Sequence, residues 1–179
     1  RSELYAREKF SQKPLPSPAM PLKRPDKLRI GYFSADYGEH PVAYLIAKVL
    51  EQHNRDEFEV FGYSLRGNQQ AELGQRLINS FDRFVDVQNL SNKNVARKVR
   101  QDGIDIAIDL NGYTQYSRTE IFAYRAAPIQ INYLGFPGTT GTDFIDYIVA
   151  DRHIIPPENQ KYFSEKILYL PNTYMPTDN

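Results

Sequence analysis

The chain has 179 residues, 41% hydrophobic and 25% charged, which fits one ordinary globular domain with room for an appendage. Its 22 basic and 22 acidic residues cancel, so no electrostatic argument points to nucleic acid or to an acidic membrane surface. The absence of cysteine excludes a disulfide framework and thiolate metal sites, and no apolar run approaches the ~20 residues that span a bilayer.

In chain order, residues 1–11 read as a short helix whose apolar residues are Leu4, Tyr5 and Phe10. It has no cap, no apolar partner nearby and no signal-like core, and it reads as the end of a longer helical region. Residues 12–26 hold five prolines, which fix φ and remove amide donors, so this is an extended linker. The domain proper starts at Lys27. KLRIGYFSADYGEHP opens it with a strand, a short loop over 34–39 and then His40 and Pro41. Pro41 suits the first turn of a helix over 41–53, with Val42, Leu45, Ile46, Val49 and Leu50 at helical spacing.

Further strands are expected at 58–64, 83–87, 104–110, 129–135, 146–151 and 166–171. Helices are expected at 69–79, 92–101 (capped by Ser91 and ended by Gly103), 117–126 and 157–163. This alternation predicts an α/β fold, a Rossmann-like, doubly wound and mostly parallel sheet.

Parallel strands put their carboxyl ends on one edge, where ligands bind in such sheets. Three unusual loops leave that edge: 34–40, 111–117 and 135–142. Together they carry Asp36, His40, Asn111, Tyr113, Thr114, Gly135, Gly138, Thr139 and Thr140. Such a wall of hydroxyls and backbone amides with one imidazole suits a sugar or another polyhydroxyl ligand.

His40 lies at or beside a helix N-cap, where the positive end of the helix disfavours a charged ring. On spacing alone it reads first as a cap, and second as a proton acceptor that Asp36 orients. His53 and His153 read as surface or packing residues. FPGTTGT reads either as a tight structural turn or as an anion cradle, though it lacks the lysine of a P-loop. Asn-Gly at 111–112 is ordinary turn chemistry. Asp105 and Asp109 read as groups that flank the core or cap the next element. The first loop lacks GxGxxG, which disfavours a dinucleotide fold. No His/Asp/Glu cluster has metal spacing, and no serine lies in a nucleophile elbow.

The motifs DxGxHP (36–41), NGYT (111–114), APIQ (127–130), LGxPGTxG (134–141) and SEK (164–166) stand in this order, and the stretch Lys27–Tyr174 closely resembles the O-linked N-acetylglucosamine transferase family and its SPINDLY-like relatives. The resemblance implies the N-terminal catalytic lobe of a two-lobed GT-B glycosyltransferase linked to tetratricopeptide repeats. Residues 1–26 would then be a helical remnant with its linker, 27–174 the lobe, and 175–179 a tail leading to a second lobe. It implies inverting transfer of a sugar from a nucleotide-sugar, UDP-N-acetylglucosamine first and fucose as the alternative, to Ser or Thr of an acceptor protein. By resemblance His40 and Asp36 are the catalytic candidates, and Pro41, Tyr113, Leu134 and Gly135 line the substrate pocket.

No metal, cofactor, nucleic acid or membrane is expected, and a cytoplasmic location is. Diphosphate contacts, including a lysine, are implied for the second lobe. The competing expectation is a non-catalytic Rossmann-like binding module attached to repeats.

Overall fold

The structure is a computed structural model, and it describes residues 1–16, 26–67 and 70–177. Seven strands form one sheet in the order β3-β2-β1-β4-β5-β6-β7. They are β1 (Leu28–Ser34), β2 (Phe58–Ser64), β3 (Arg83–Asp86), β4 (Ile106–Asp109), β5 (Ile129–Asn132), β6 (Tyr147–Ala150) and β7 (Lys166–Tyr169). Every pairing is parallel, so the expected mostly parallel sheet is parallel throughout.

A parallel sheet must be covered on both faces, and the burial of β1 shows why: Ile30 to Ser34 are all buried. One face packs Ile30, Tyr32 and Val60 against helix α2 (Pro41–Glu51) and helix α3 (Glu72–Asn79). The other packs Phe33, Phe61, Tyr63 and Ala107 against helix α4 (Asn92–Gln101) and helix α5 (Glu120–Ala123). In α2 the buried residues Val42, Ala43, Ile46, Ala47 and Leu50 recur at helical spacing and form one apolar stripe. Ser91 caps α4 as the sequence indicates, its side chain accepting from the Asn94 amide.

Several boundaries are shorter than expected, for local reasons. The helix expected over 117–126 is only α5, because Tyr116 (φ 62°) and Arg125 (φ 56°) are left-handed on either side of it. The strand expected to run to Gly135 stops at Asn132, because Leu134 turns left-handed (φ 78°). Residues 157–162 form a 3-10 helix. Part of the expected linker, 17–25, lies outside the described residues.

The N-terminal helix α1 (Ser2–Lys9) does find an apolar partner, contrary to the expectation for it. Ala6 is buried, and the Tyr5 and Phe10 rings sit 5.2 and 6.5 Å from the Tyr113 ring. The sequence hides this contact because the partners lie more than a hundred residues away.

Candidate functional site

The strand order reverses between β1 and β4, and the loops that follow these strands meet there. In an open α/β sheet this switch point is the ligand crevice. Fully buried Asn111, at the end of β4, ties the two loops together. Its Oδ1 accepts from the Ala35 amide at 2.8 Å, and its Nδ2 donates to Asp36 Oδ2 at 2.6 Å and to Thr114 Oγ1 at 3.1 Å. The DxGxHP and NGYT motifs, 70 residues apart in sequence, thus form one hydrogen-bonded unit.

His40 is the N-cap of α2. The Val42 amide donates to its Nδ1 at 3.2 Å, and Pro41 occupies the exposed first turn. A ring nitrogen that accepts an N–H keeps its lone pair, so the neutral ring carries its proton on Nε2. In this arrangement His40 offers the crevice an N–H donor. Asp36 Oδ2 is 3.9 Å from His40 Nδ1, beyond hydrogen-bond distance. Asp36 Oδ1 has no hydrogen bond among the described residues and is not sealed from solvent. The free acceptor at the switch point is therefore the carboxylate.

The other substrate candidates lie on the β5 side. The Leu134 side chain is buried among Tyr133, Leu110 and Tyr174, so what the Leu-Gly pair leaves at the surface is the partly exposed backbone at Gly135. Tyr113 donates to the Thr140 carbonyl at 2.6 Å and packs against Tyr5, Phe10 and Phe136. Burial raises its phenol well above the ordinary range, so it stays a neutral donor. Its visible role is to hold the Gly-rich loop.

Glu165, 4% exposed, holds the same loop from the other side. It accepts from the Thr140 amide at 2.7 Å, from the Thr140 hydroxyl and from Thr139 Oγ1 at 2.7 Å. The Gly141 amide turns inward to Thr139 Oγ1, and Asn132 Nδ2 binds the Phe136 carbonyl. The Thr140 and Gly141 amides are thus already engaged, by Glu165 and Thr139, which favours the structural reading of FPGTTGT over an anion cradle. His53 bonds to Tyr32 Oη at 2.8 Å beneath α2, which fits packing.

Asp109, at the end of β4, is buried behind Asn111. Its Oδ1 accepts from the Asn111 amide at 3.0 Å, and the Gly112 amide also bonds this carboxyl, an Asx turn that fits the capping expectation. Its Oδ2 has no partner, and neither has Asn132 Oδ1 on the registered position of β5. Burial pushes the Asp109 carboxyl up from 3.8 to about 6 against those two amides. The fold therefore binds this proton more tightly than the unfolded chain does.

Below pH 3.8 both states are protonated and the group costs nothing. Stability is then lost as pH rises towards 6, where the loss levels off at about 3 kcal/mol. Asp109→Asn cannot ionise, so its stability relative to the unsubstituted chain should rise by about 2 kcal/mol between pH 4 and pH 7.5. Urea unfolding of both proteins at the two pH values measures this. Parallel pH dependence would show that Asp109 ionises without cost in the fold.

Among the described residues no group of three or more His, Cys, Asp or Glu is placed to hold a metal ion. No described helix is long and apolar enough to cross a membrane.

This geometry has close relatives. Residues 9–179 match the model of glycosyl transferase family 41. The probable UDP-N-acetylglucosamine–peptide N-acetylglucosaminyltransferase SEC of Arabidopsis thaliana is 44% identical over 174 residues, 95% of this chain and 18% of that protein. The UDP-N-acetylglucosamine–peptide N-acetylglucosaminyltransferase of Caenorhabditis elegans is 42% identical over 154 residues, 86% of this chain and 13% of that protein. The structure of the K341M mutant of Thermobaculum terrenum O-GlcNAc transferase superposes with a TM-score of 0.89 at 36% identity, over 97% of this chain and 34% of that one. The chain thus spans less than a fifth of these curated relatives and about a third of the solved structure. With the family model covering nearly its whole length, the chain belongs to glycosyl transferase family 41.

Proposed function

We propose that this chain is the N-terminal catalytic lobe of an inverting protein O-glycosyltransferase that moves N-acetylglucosamine from UDP-N-acetylglucosamine to Ser or Thr of an acceptor protein. The observation that carries the proposal is the joined DxGxHP and NGYT unit at the switch point of a family 41 fold. Both curated relatives described above carry UDP-N-acetylglucosamine in their names, which supports that donor over fucose.

In an inverting displacement the acceptor oxygen bonds to the anomeric carbon as the bond to the diphosphate breaks, and the hydroxyl proton must go to a base. Asp36 Oδ1 supplies that acceptor here. His40 donates through Nε2 to an oxygen of the bound substrates, and Pro41 and the Gly135 backbone border the sugar. Residues 27–174 make up the lobe, and 175–179 lead towards a second lobe that neutralises the diphosphate. Transfer needs no metal, and the cysteine-free composition suits the reducing cytoplasm as the site of action.

Leaving-group stabilisation is a large part of such a reaction, and this chain alone lacks the second lobe's share of it. The isolated 179 residues should therefore fold and transfer negligible sugar, while the full parent protein turns over with UDP-N-acetylglucosamine in the presence of a chelator. A transfer assay on both, with GDP-fucose as the second donor, tests this. Turnover only with GDP-fucose would move the donor assignment. A parent that contains the second lobe and transfers neither sugar would leave the fold as a binding module.

A further inference from the structure

We propose that Asn111 is the positioning residue for Asp36, fixing where its carboxylate points. This rests on the reading of Asp36 as the proton acceptor. Among the described residues, Asn111 Nδ2 is the one hydrogen-bond donor to the Asp36 side chain, at 2.6 Å. Asp36 is the less exposed of its pair with His40, its side chain 11% accessible, so that bond replaces much of the hydration the carboxylate has lost.

Asn111 itself cannot turn. Its Oδ1 is held by the Ala35 amide, its own amide by Asp109 Oδ1, and its Nδ2 is shared with Thr114 Oγ1. The residue must accept on one side and donate on the other, which the carboxamide does and a carboxylate does not. Asparagine in the first place of an Asn-Gly pair reads as turn chemistry. Here the side chain spans two loops and does the work of a bracket.

The titratable groups around Asp36 are few. His40 lies on its own loop, with Nδ1 3.9 Å away, and Asp109 lies behind Asn111 on the β4 side. No other ion pair to Asp36 occurs among the described residues. A second carboxylate at position 111 would face Asp36 across hydrogen-bond distance, and two such groups share one proton.

The test uses Asn111→Asp and Asn111→Ala. In the full parent protein, Asn111→Asp should move the acid limb of the kcat/KM profile up by about 1–2 pH units. Asn111→Ala should lower kcat about 10–100-fold, with the KM for the nucleotide-sugar within about threefold of the wild type, as expected for a misplaced reacting group. In the Asp36→Asn background, Asn111→Ala should cost little more activity, because the group it positions is already gone.

An unshifted acid limb, or full additivity of the two losses, would overturn the proposal. A purely structural asparagine would lower stability without moving the pH profile. Carboxyl NMR titration of the 179-residue chain reads the same property without activity. Asn111→Asp should bring in a carboxyl that titrates at least about one unit above the ordinary range, and its absence also overturns the proposal. If the parent transfers no sugar while this titration behaves as expected, the catalytic reading has failed and the positioning has not.

Discussion

Asp36→Asn is expected to lower sugar transfer by the full parent protein about 100-fold or more, in line with the range seen for positioned acid–base groups, and His40→Ala by only about tenfold, the size of one lost hydrogen bond. The ordering follows from which lone pairs are free. His40 Nδ1 is engaged by the Val42 amide, which leaves a proton on Nε2. For this ring to act as a base through Nε2 it would have to change tautomer and give up the cap of α2. Losing an N-cap costs about 1 kcal/mol, so the histidine has a structural reason to stay as it is. Asp36 keeps one oxygen open and needs no rearrangement.

The measurement is kcat/KM for both variants with UDP-N-acetylglucosamine and one acceptor peptide, alongside thermal melts. His40→Ala should show the lower melting temperature of the two as well as the milder kinetic loss. The reverse kinetic ordering, with His40→Ala abolishing turnover and Asp36→Asn retaining most of it, would make the imidazole the base and require the ring to leave its cap in the substrate complex.

The cap is also a lesson in what a single sequence discloses. His40 before Pro41 at the start of an apolar helix is a local pattern, and a local pattern suffices to place it as a cap. The order of strands and helices from Lys27 to Tyr169 was legible for the same reason, since each element carries its own periodicity and its own breakers. Lengths were less legible. Neither Leu134 nor Arg125 advertises a left-handed backbone, because the cost is met by contacts from distant segments.

The site was readable as a set of loops at one sheet edge, but the division of labour within it was not. In sequence Asn111 reads as a turn residue and Glu165 only as part of the SEK motif, and only the fold brings the first to Asp36 and the second to Thr140. Tyr113 stands among the substrate candidates, yet its hydroxyl is spent on the Thr140 carbonyl. The long-range partner decides in every such case, and spacing cannot reveal it.

Gly135→Ala should be among the most disruptive single changes in this chain. A Cβ on Gly135 would lie 2.1 Å from the Leu110 carbonyl oxygen and 3.2 Å from its carbon. Both are backbone atoms at the end of β4, so no side chain can swing away. Relief would require the β4 and β5 loops to part, and Tyr113 ties the two through its bond to the Thr140 carbonyl, while Asn132 and Glu165 pin the β5 loop. The expected cost is about 3 kcal/mol or more, which corresponds to a fall in melting temperature of about 6–12 °C for a domain of this size.

Gly138→Ala, three residues on in the same loop, is the internal control. Its Cβ would meet the tip of the partly exposed Phe136 ring at 2.9 Å, and a ring can turn. That variant should therefore lose less than about 1 kcal/mol. Melting curves for the two variants side by side separate a rigid backbone approach from general intolerance of the loop. Equal losses would mean that the whole loop yields as one body and that β4 and β5 do not clamp it. A selective loss at Gly135 would establish that the ends of β4 and β5 meet backbone against backbone, which leaves no room for a side chain between them.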